Sequence, residues 1–206
     1  SDLHFHPLGQ AFLVTRDEKY FREFVSQIIS WIVQNPIGYG VHWKSTMEAA
    51  IRVANWLVCL EYFEKLLPHY TRFLRILYRS VYEHALFIHN RLSKTKITEN
   101  HYLVEVAGLF LVSVYCPFFR ESDQWQMFSR KELVREGKRQ ILPDGGHFEA
   151  STSYHRFVFE AFLFTTIIGH RAGIRFPEEH LNRVSRMCDL TRIILKPDGT
   201  IPQIGD

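Results

Sequence analysis

The sequence predicts an all-α fold built from antiparallel helix hairpins. Apolar residues recur at helical spacing along most of the chain. No run of strict apolar–polar alternation is long enough for a strand. The connections between helical stretches are mostly short, which makes consecutive helices antiparallel neighbours.

The first helix is expected over 17–34, stopped by Asn35-Pro36 and the glycines Gly38 and Gly40. The second is expected over 45–67, with Ala50, Ile51, Ala54, Leu57 and Val58 on one face and Pro68 as its stop. The third covers 69–92, with Leu74, Leu77, Tyr78, Val81, Ala85 and Ile88 in one stripe. A polar loop from Ser93 to Lys96 follows. The fourth covers 99–115, with Leu103, Ala107, Phe110, Leu111 and Val114 inward, and ends before Pro117. The fifth covers 122–140, the sixth 153–170 and the seventh 178–195. Phe157, Ala161, Phe164 and Ile168 are expected to face inward on the sixth. Such hairpins can form a bundle, a solenoid or a closed ring of helix pairs. The chain shows no fixed-period repeat, which weighs against a solenoid.

Composition narrows the function classes. The chain has 206 residues, 46% hydrophobic and 23% charged, which excludes global disorder. The uncharged stretch from Val106 to Phe119 contains Pro117 and is too short for a membrane span. The net charge of +3 is too small to indicate nucleic acid. Arg outnumbers Lys by 17 to 8, and guanidinium forks suit carboxylate, sulfate or phosphate. Cys59, Cys116 and Cys188 lie far apart in apolar helical contexts and read as buried free thiols. Aromatic residues reach 15%, enough for a dense core or an aromatic-lined groove.

Three polar clusters interrupt the amphipathic pattern. Ile97 to Tyr102 opens the fourth helix, with Thr98 as a candidate N-cap and Asn100 and His101 in the first turn. Pro143 to His155 is a glycine loop entering the sixth helix, capped by Ser151 or Ser153, and carries His147, Glu149, Tyr154 and His155. Free N–H groups and the positive dipole end at such helix starts favour anions. Asn, His and Tyr there can hold a carboxylate and move a proton beside it. The same residues also fit first-turn polar groups and a hydrogen-bonded pair packed on the loop. His147, Glu149 and His155 offer three metal ligands, but their spacing matches no zinc motif. His84 and His89 read as structural. The third cluster runs from Asn35 to Trp43 and from Ala50 to Trp56. Arg52 and Asn55 share a helix face there, as a buried polar pair or as an Arg with Trp43 and Trp56 on a sugar groove.

Taken in order, these motifs resemble the heparinase II/III family of polysaccharide lyases. They are Asn-Pro with Gly and Trp, Ala-Ile-Arg-Val-Ala-Asn-Trp, Glu-Asn-His-Tyr-Leu-Val-Glu, Pro-Asp-Gly-Gly-His-Phe-Glu-Ala-Ser-Thr-Ser-Tyr-His, and the closing Pro-Asp-Gly-Thr-Ile-Pro-Gln-Ile-Gly-Asp. The resemblance implies an incomplete (α/α) toroid over 1–206, followed in the parent protein by a β-sandwich domain that this chain lacks. It implies β-elimination on a polysaccharide containing uronic acid, with no cofactor and no metal. Asn100 and His101 match the pair that neutralises the uronate carboxylate, which lowers the barrier to charge developing on it. Tyr154 matches the tyrosine that protonates the leaving oxygen and in some members also acts as base. A tyrosine ordinarily titrates near pH ~10, so a base role needs cationic or hydrogen-bonding neighbours such as His155, His101 or an Arg. Arg52, His147, Glu149, His155, Trp43 and Trp56 match less closely, as substrate contacts or their supports, and Trp43, Trp56, Tyr102 and Tyr154 are expected at or near a sugar groove. Some members draw a further catalytic His or Tyr from the β-sandwich. The partners implied are an acidic polysaccharide and that domain, in a periplasmic or extracellular bacterial setting. The alternative is a glycan-binding or biosynthetic accessory domain without turnover.

Overall fold

The computed structural model describes residues 5–94 and 100–205. Eight α-helices follow one another: α1 Phe5–Thr15, α2 Lys19–Gln34, α3 Thr46–Leu60, α4 Thr71–Asn90, α5 Asn100–Tyr115, α6 Ser122–Gln140, α7 Thr152–Arg171 and α8 Glu178–Ile194. Among the described residues there is no strand, only an isolated antiparallel bridge between Ile141 and His147. No helix among them is long and apolar enough to cross a membrane.

Two elements differ from the sequence expectation. Residues 5–15 form a helix where none was expected. Pro7 sits in the first turn, where its missing N–H costs nothing. Gly9 gives the ring of Tyr62 room to close, since a Cβ there would lie 2.1 Å from Tyr62 Cδ2. The expected 45–67 helix stops at Leu60 and tightens into two 3-10 turns, Glu61–Phe63 and Leu67–His69. The tighter winding turns Phe63 into a ring cluster. Its centroid lies 5.1 Å from Phe12, 4.9 Å from Phe21 and 5.2 Å from Phe24.

Hairpins stack side by side: α1 packs on α2, α3 on α4, α5 on α6 and α7 on α8, while α3, α5 and α7 pack on one another in sequence. The three inner helices run parallel. At their C-terminal ends Arg171 Nη1 meets Glu61 Oε2 at 3.0 Å, and the Tyr115 hydroxyl donates to Glu61 Oε1 at 2.5 Å. At the opposite end Thr46 Oγ1 donates to the Arg91 carbonyl at 3.2 Å, and Asn100 reaches Glu149. This is the expected incomplete (α/α) toroid.

The central helix explains the order. Asn100 and every residue from 102 to 113 of α5 are buried, so α5 is apolar almost all round, as a helix with neighbours on all sides must be. One core cluster, rich in Phe and Trp, takes Leu109 and Val112 from it, and the other takes Tyr102, Leu103, Val106 and Phe110. Gly108 lets α3 approach, because a Cβ there would lie 2.7 Å from Ala50 Cβ.

Cys59 and Cys116 are buried as expected, but Cys188 is exposed on α8. Of the stripe expected on α7, Ile168 is buried. Val158, Phe162 and Thr165 enter the core, while Phe157, Ala161 and Phe164 line an open groove. The stripe is apolar because it lines that groove. Thr98 lies outside the described residues.

Candidate functional site

The groove follows the inner helices. A cavity of about 350 Å³ is walled by Ala50, Ala54 and Asn55 of α3, Val104, Ala107 and Gly108 of α5, and Phe157, Glu160, Ala161 and Phe164 of α7. The α5 stripe at Val104, Ala107 and Leu111 continues one turn back to Asn100 and His101. The α7 stripe at Phe157, Ala161 and Phe164 continues one turn back to Tyr154. Since α5 and α7 are parallel, these groups stand at the same end of the groove.

Local structure fixes both helix starts. Ser151 caps α7, its hydroxyl accepting from the Tyr154 N–H at 3.4 Å. Ahead of it the loop is closed by backbone bonds from Leu142 N to Gly146 O and from Phe148 N to Gln140 O. Gly145, at φ 91°, lies flush on α8, and a Cβ there would sit 2.3 Å from the Arg186 carbonyl oxygen. The chain before α5 is tied down by Glu105, whose buried carboxylate accepts from Ser93 N at 2.7 Å and Ser93 Oγ at 2.8 Å. Burial raises the Glu105 pKa.

At the start of α5, Asn100 Nδ2 donates to Glu149 Oε2 at 2.9 Å and to Oε1 at 3.2 Å. The Asn100 backbone N–H donates to the same carboxylate at 3.3 Å. This contact joins the two polar clusters that the sequence placed on separate helices. His101 is exposed and Tyr154 half-buried.

The two loop histidines lie deeper than expected. His147 is 3% exposed and His155 4%. Gln140 donates Nε2 to Glu136 at 2.9 Å, so its Oε1, 3.1 Å from His147 Nε2, accepts the histidine proton. The Thr191 hydroxyl donates to the Met187 carbonyl, so its oxygen accepts from His155 Nε2 at 2.9 Å. Each ring thus carries its proton on Nε2, and each Nδ1 is buried without a partner. Burial, with His155 nearby, pushes the His147 pKa down to about 4, and burial lowers that of His155. His155 is therefore neutral near neutrality and supplies no cation to Tyr154. Among the described residues no group of three His, Cys, Asp or Glu side chains is placed to hold a metal ion.

Arg52, Trp43 and Trp56 do not face the groove, contrary to the sugar-contact expectation. They are 4%, 6% and 1% exposed. The Arg52 guanidinium lies 4.1 Å from the Trp31 ring centroid and 5.7 Å from that of Trp43. It donates to the His42 carbonyl at 3.0 Å and to His84 Nε2 at 3.2 Å. His84 in turn donates Nδ1–H to Ser80 O at 2.7 Å, and burial drives its pKa to about 3. A charge this deep must spend its donors on the interior. Asn55, three residues on, lines the groove, so the pair splits between core and site.

One support was not assigned from sequence. The closing motif folds back onto α7: Thr152 N donates to Ile204 O at 2.9 Å, and Gln203 Nε2 donates to Ser153 Oγ at 3.0 Å, beside Tyr154. The sequence singled this motif out but gave it no role. Tyr102, expected at or near a sugar groove, is instead buried on α5 and donates to Glu132 of α6. Burial first, and then that carboxylate, raise its pKa.

Parallel inner helices in open hairpin pairs, with polar groups at their shared N-terminal end, define an incomplete (α/α) toroid domain. The chain belongs to the heparinase II/III N-terminus family, whose model matches residues 2–206. It is similar to a heparin-sulfate lyase of Bacteroides stercoris, 29% identical over 224 residues, which cover 98% of this chain and 33% of that protein. A heparin-sulfate lyase of Pedobacter heparinus is 28% identical over 206 residues, covering 97% of this chain and 31% of the relative. The crystal structure of a heparan sulfate lyase from Pedobacter heparinus superposes at a TM-score of 0.73 with 26% identity, covering 98% of this chain and 32% of that one. A heparinase III structure superposes at 0.70 with 27% identity, covering 96% and 34%. The chain thus spans about a third of the length of the curated relatives it matches.

Proposed function

We propose that this chain is the helical part of a polysaccharide lyase that cleaves a glycan containing uronic acid by β-elimination. One observation carries the reading: Asn100 and the loop leading to Tyr154 meet at the shared N-terminal end of α5 and α7, at the head of the groove. In this scheme Asn100, helped by exposed His101, holds the uronate carboxylate and withdraws charge from it. The proton on the neighbouring carbon becomes easier to remove as enolate-like charge settles on the held group. Tyr154 donates its proton to the leaving glycosidic oxygen. His147 and His155 position the loop. A β-sandwich domain belongs to the same proposal, as the source of any further catalytic His or Tyr.

The test incubates the full protein with heparan sulfate, alginate, hyaluronan and bacterial capsular glycans and follows ultraviolet absorbance of the unsaturated uronate. Product is expected from at least one acidic glycan; a folded protein silent on all of them would defeat the reading. Tyr154→Phe should remove turnover by at least a hundredfold, the scale of a lost general acid, while glycan binding survives. Retained turnover would remove Tyr154 from the chemistry. Binding without any unsaturated product would assign the domain to glycan recognition.

A further inference from the structure

The proposed carboxylate holder already holds a carboxylate. Asn100 is 6% exposed, and its Nδ2 meets both Glu149 oxygens, at 2.9 and 3.2 Å. The backbone N–H of Asn100 adds a third contact at 3.3 Å. That N–H belongs to the first residue of α5, where helix N–H groups lack intrahelical partners and the dipole is positive. A neutral amide and a helix-start N–H together form a receptor for one carboxylate. A second carboxylate in the same cradle would face like-charge repulsion. Glu149 is half-buried at the end of the loop, followed by Ala150 in a left-handed conformation at φ 54°. Its backbone is set by the turn, while rotation about its side-chain bonds can carry the carboxylate away.

We propose that Glu149 is the internal occupant of the uronate carboxylate site. It keeps the Asn100 amide oriented and hydrogen-bonded while the site is empty, and the substrate carboxylate displaces it. Glu149 is thus a positioning residue that competes with substrate. This inference deepens the lyase reading and rests on Asn100 being the group that receives the uronate.

The test titrates the full protein with glucuronate and, as a control without a carboxylate, methyl glucoside, followed by calorimetry and by the side-chain amide signal of Asn100. Glu149→Gln removes the competing charge and keeps the side-chain length. It should bind glucuronate about tenfold more tightly than the unmodified protein, with methyl glucoside unchanged. On a cleaved glycan the same variant should show a lower KM, the direction that loss of a competitor gives and loss of a structural support does not. Glu149→Ala, checked by its melting curve, gives the same direction for glucuronate if the amide variant does not fold. Glucuronate affinity that is unchanged or weaker in the folded variants would overturn the proposal. A gain in glucuronate affinity without an unsaturated product on any glycan would keep the carboxylate site and defeat the lyase reading. Turnover without that gain would do the reverse.

Discussion

Lowering the pH from 7.5 to 5 should destabilise this domain through its buried histidines. His147 and His180 have pKa values held down to about 4, and His84 to about 3, against an ordinary value of 6.5. Burial is the leading cause in all three. A lowered folded-state pKa means that the unfolded chain binds the proton more tightly. The stability these neutral rings allow is present above pH 6.5 and is lost as pH falls from there toward the folded values. At pH 5 each ring sits about 1.5 units below its unfolded pKa, which at 1.36 kcal/mol per unit is about 2 kcal/mol. Three rings give about 6 kcal/mol, a large share of the roughly 5–15 kcal/mol that holds a domain together. Glu105 works in the opposite direction, because its raised pKa favours the folded state as pH falls, while His155, whose pKa burial also lowers, adds to the loss. Urea denaturation read by tryptophan fluorescence at several pH values measures the loss directly. Replacing His180, which stacks on Phe176 at 4.6 Å, by Gln should remove about a third of the acid slope. An unfolding free energy constant to within about 1 kcal/mol between pH 7.5 and 5 would refute the reasoning.

Two further substitutions test the packing. Gly108→Val drives branched carbon into Ala50, whose Cβ already lies 2.7 Å from a modest Cβ at position 108; it should cost about 1–3 kcal/mol, seen as a lower melting temperature. Arg52→Lys cannot reproduce the fork to His42 and His84 or the stacking on Trp31. It should cost about 1–3 kcal/mol of stability and leave KM on a cleaved glycan unchanged, whereas a substrate contact would raise KM.

The parts of the fold that could be read from sequence were those in which one residue sees one environment. Helices α4 to α8 were placed within a few residues because their apolar spacing is regular and their stops are strong. Helix α1 was missed because Pro7 and Gly9 are breakers in isolation; only the first-turn position of one and the Tyr62 ring against the other make them compatible with a helix. The end of α3 was misplaced because nothing local says that Phe63 must reach the rings of Phe12, Phe21 and Phe24.

The same distinction separates the readable half of the site from the other half. Asn100 and Tyr154 could be singled out because a dense polar turn at a helix start is a local pattern, and Ser151 and Ser153 both offered a cap. Whether an aromatic or charged side chain beside such a turn faces ligand or core depends on which neighbour lies across the helix, and helical spacing alone is symmetric in that choice. An apolar stripe can line a core or a groove, as Phe157, Ala161 and Phe164 do. A buried Arg needs donors spent in the interior, and for Arg52 those acceptors come from His42 and His84, far apart in sequence. Glu149 is the sharpest case. From sequence it is one acidic residue in a glycine loop. Its meaning comes from a partner 49 residues away, because the Asn100 amide and the Glu149 carboxylate meet only in the folded chain.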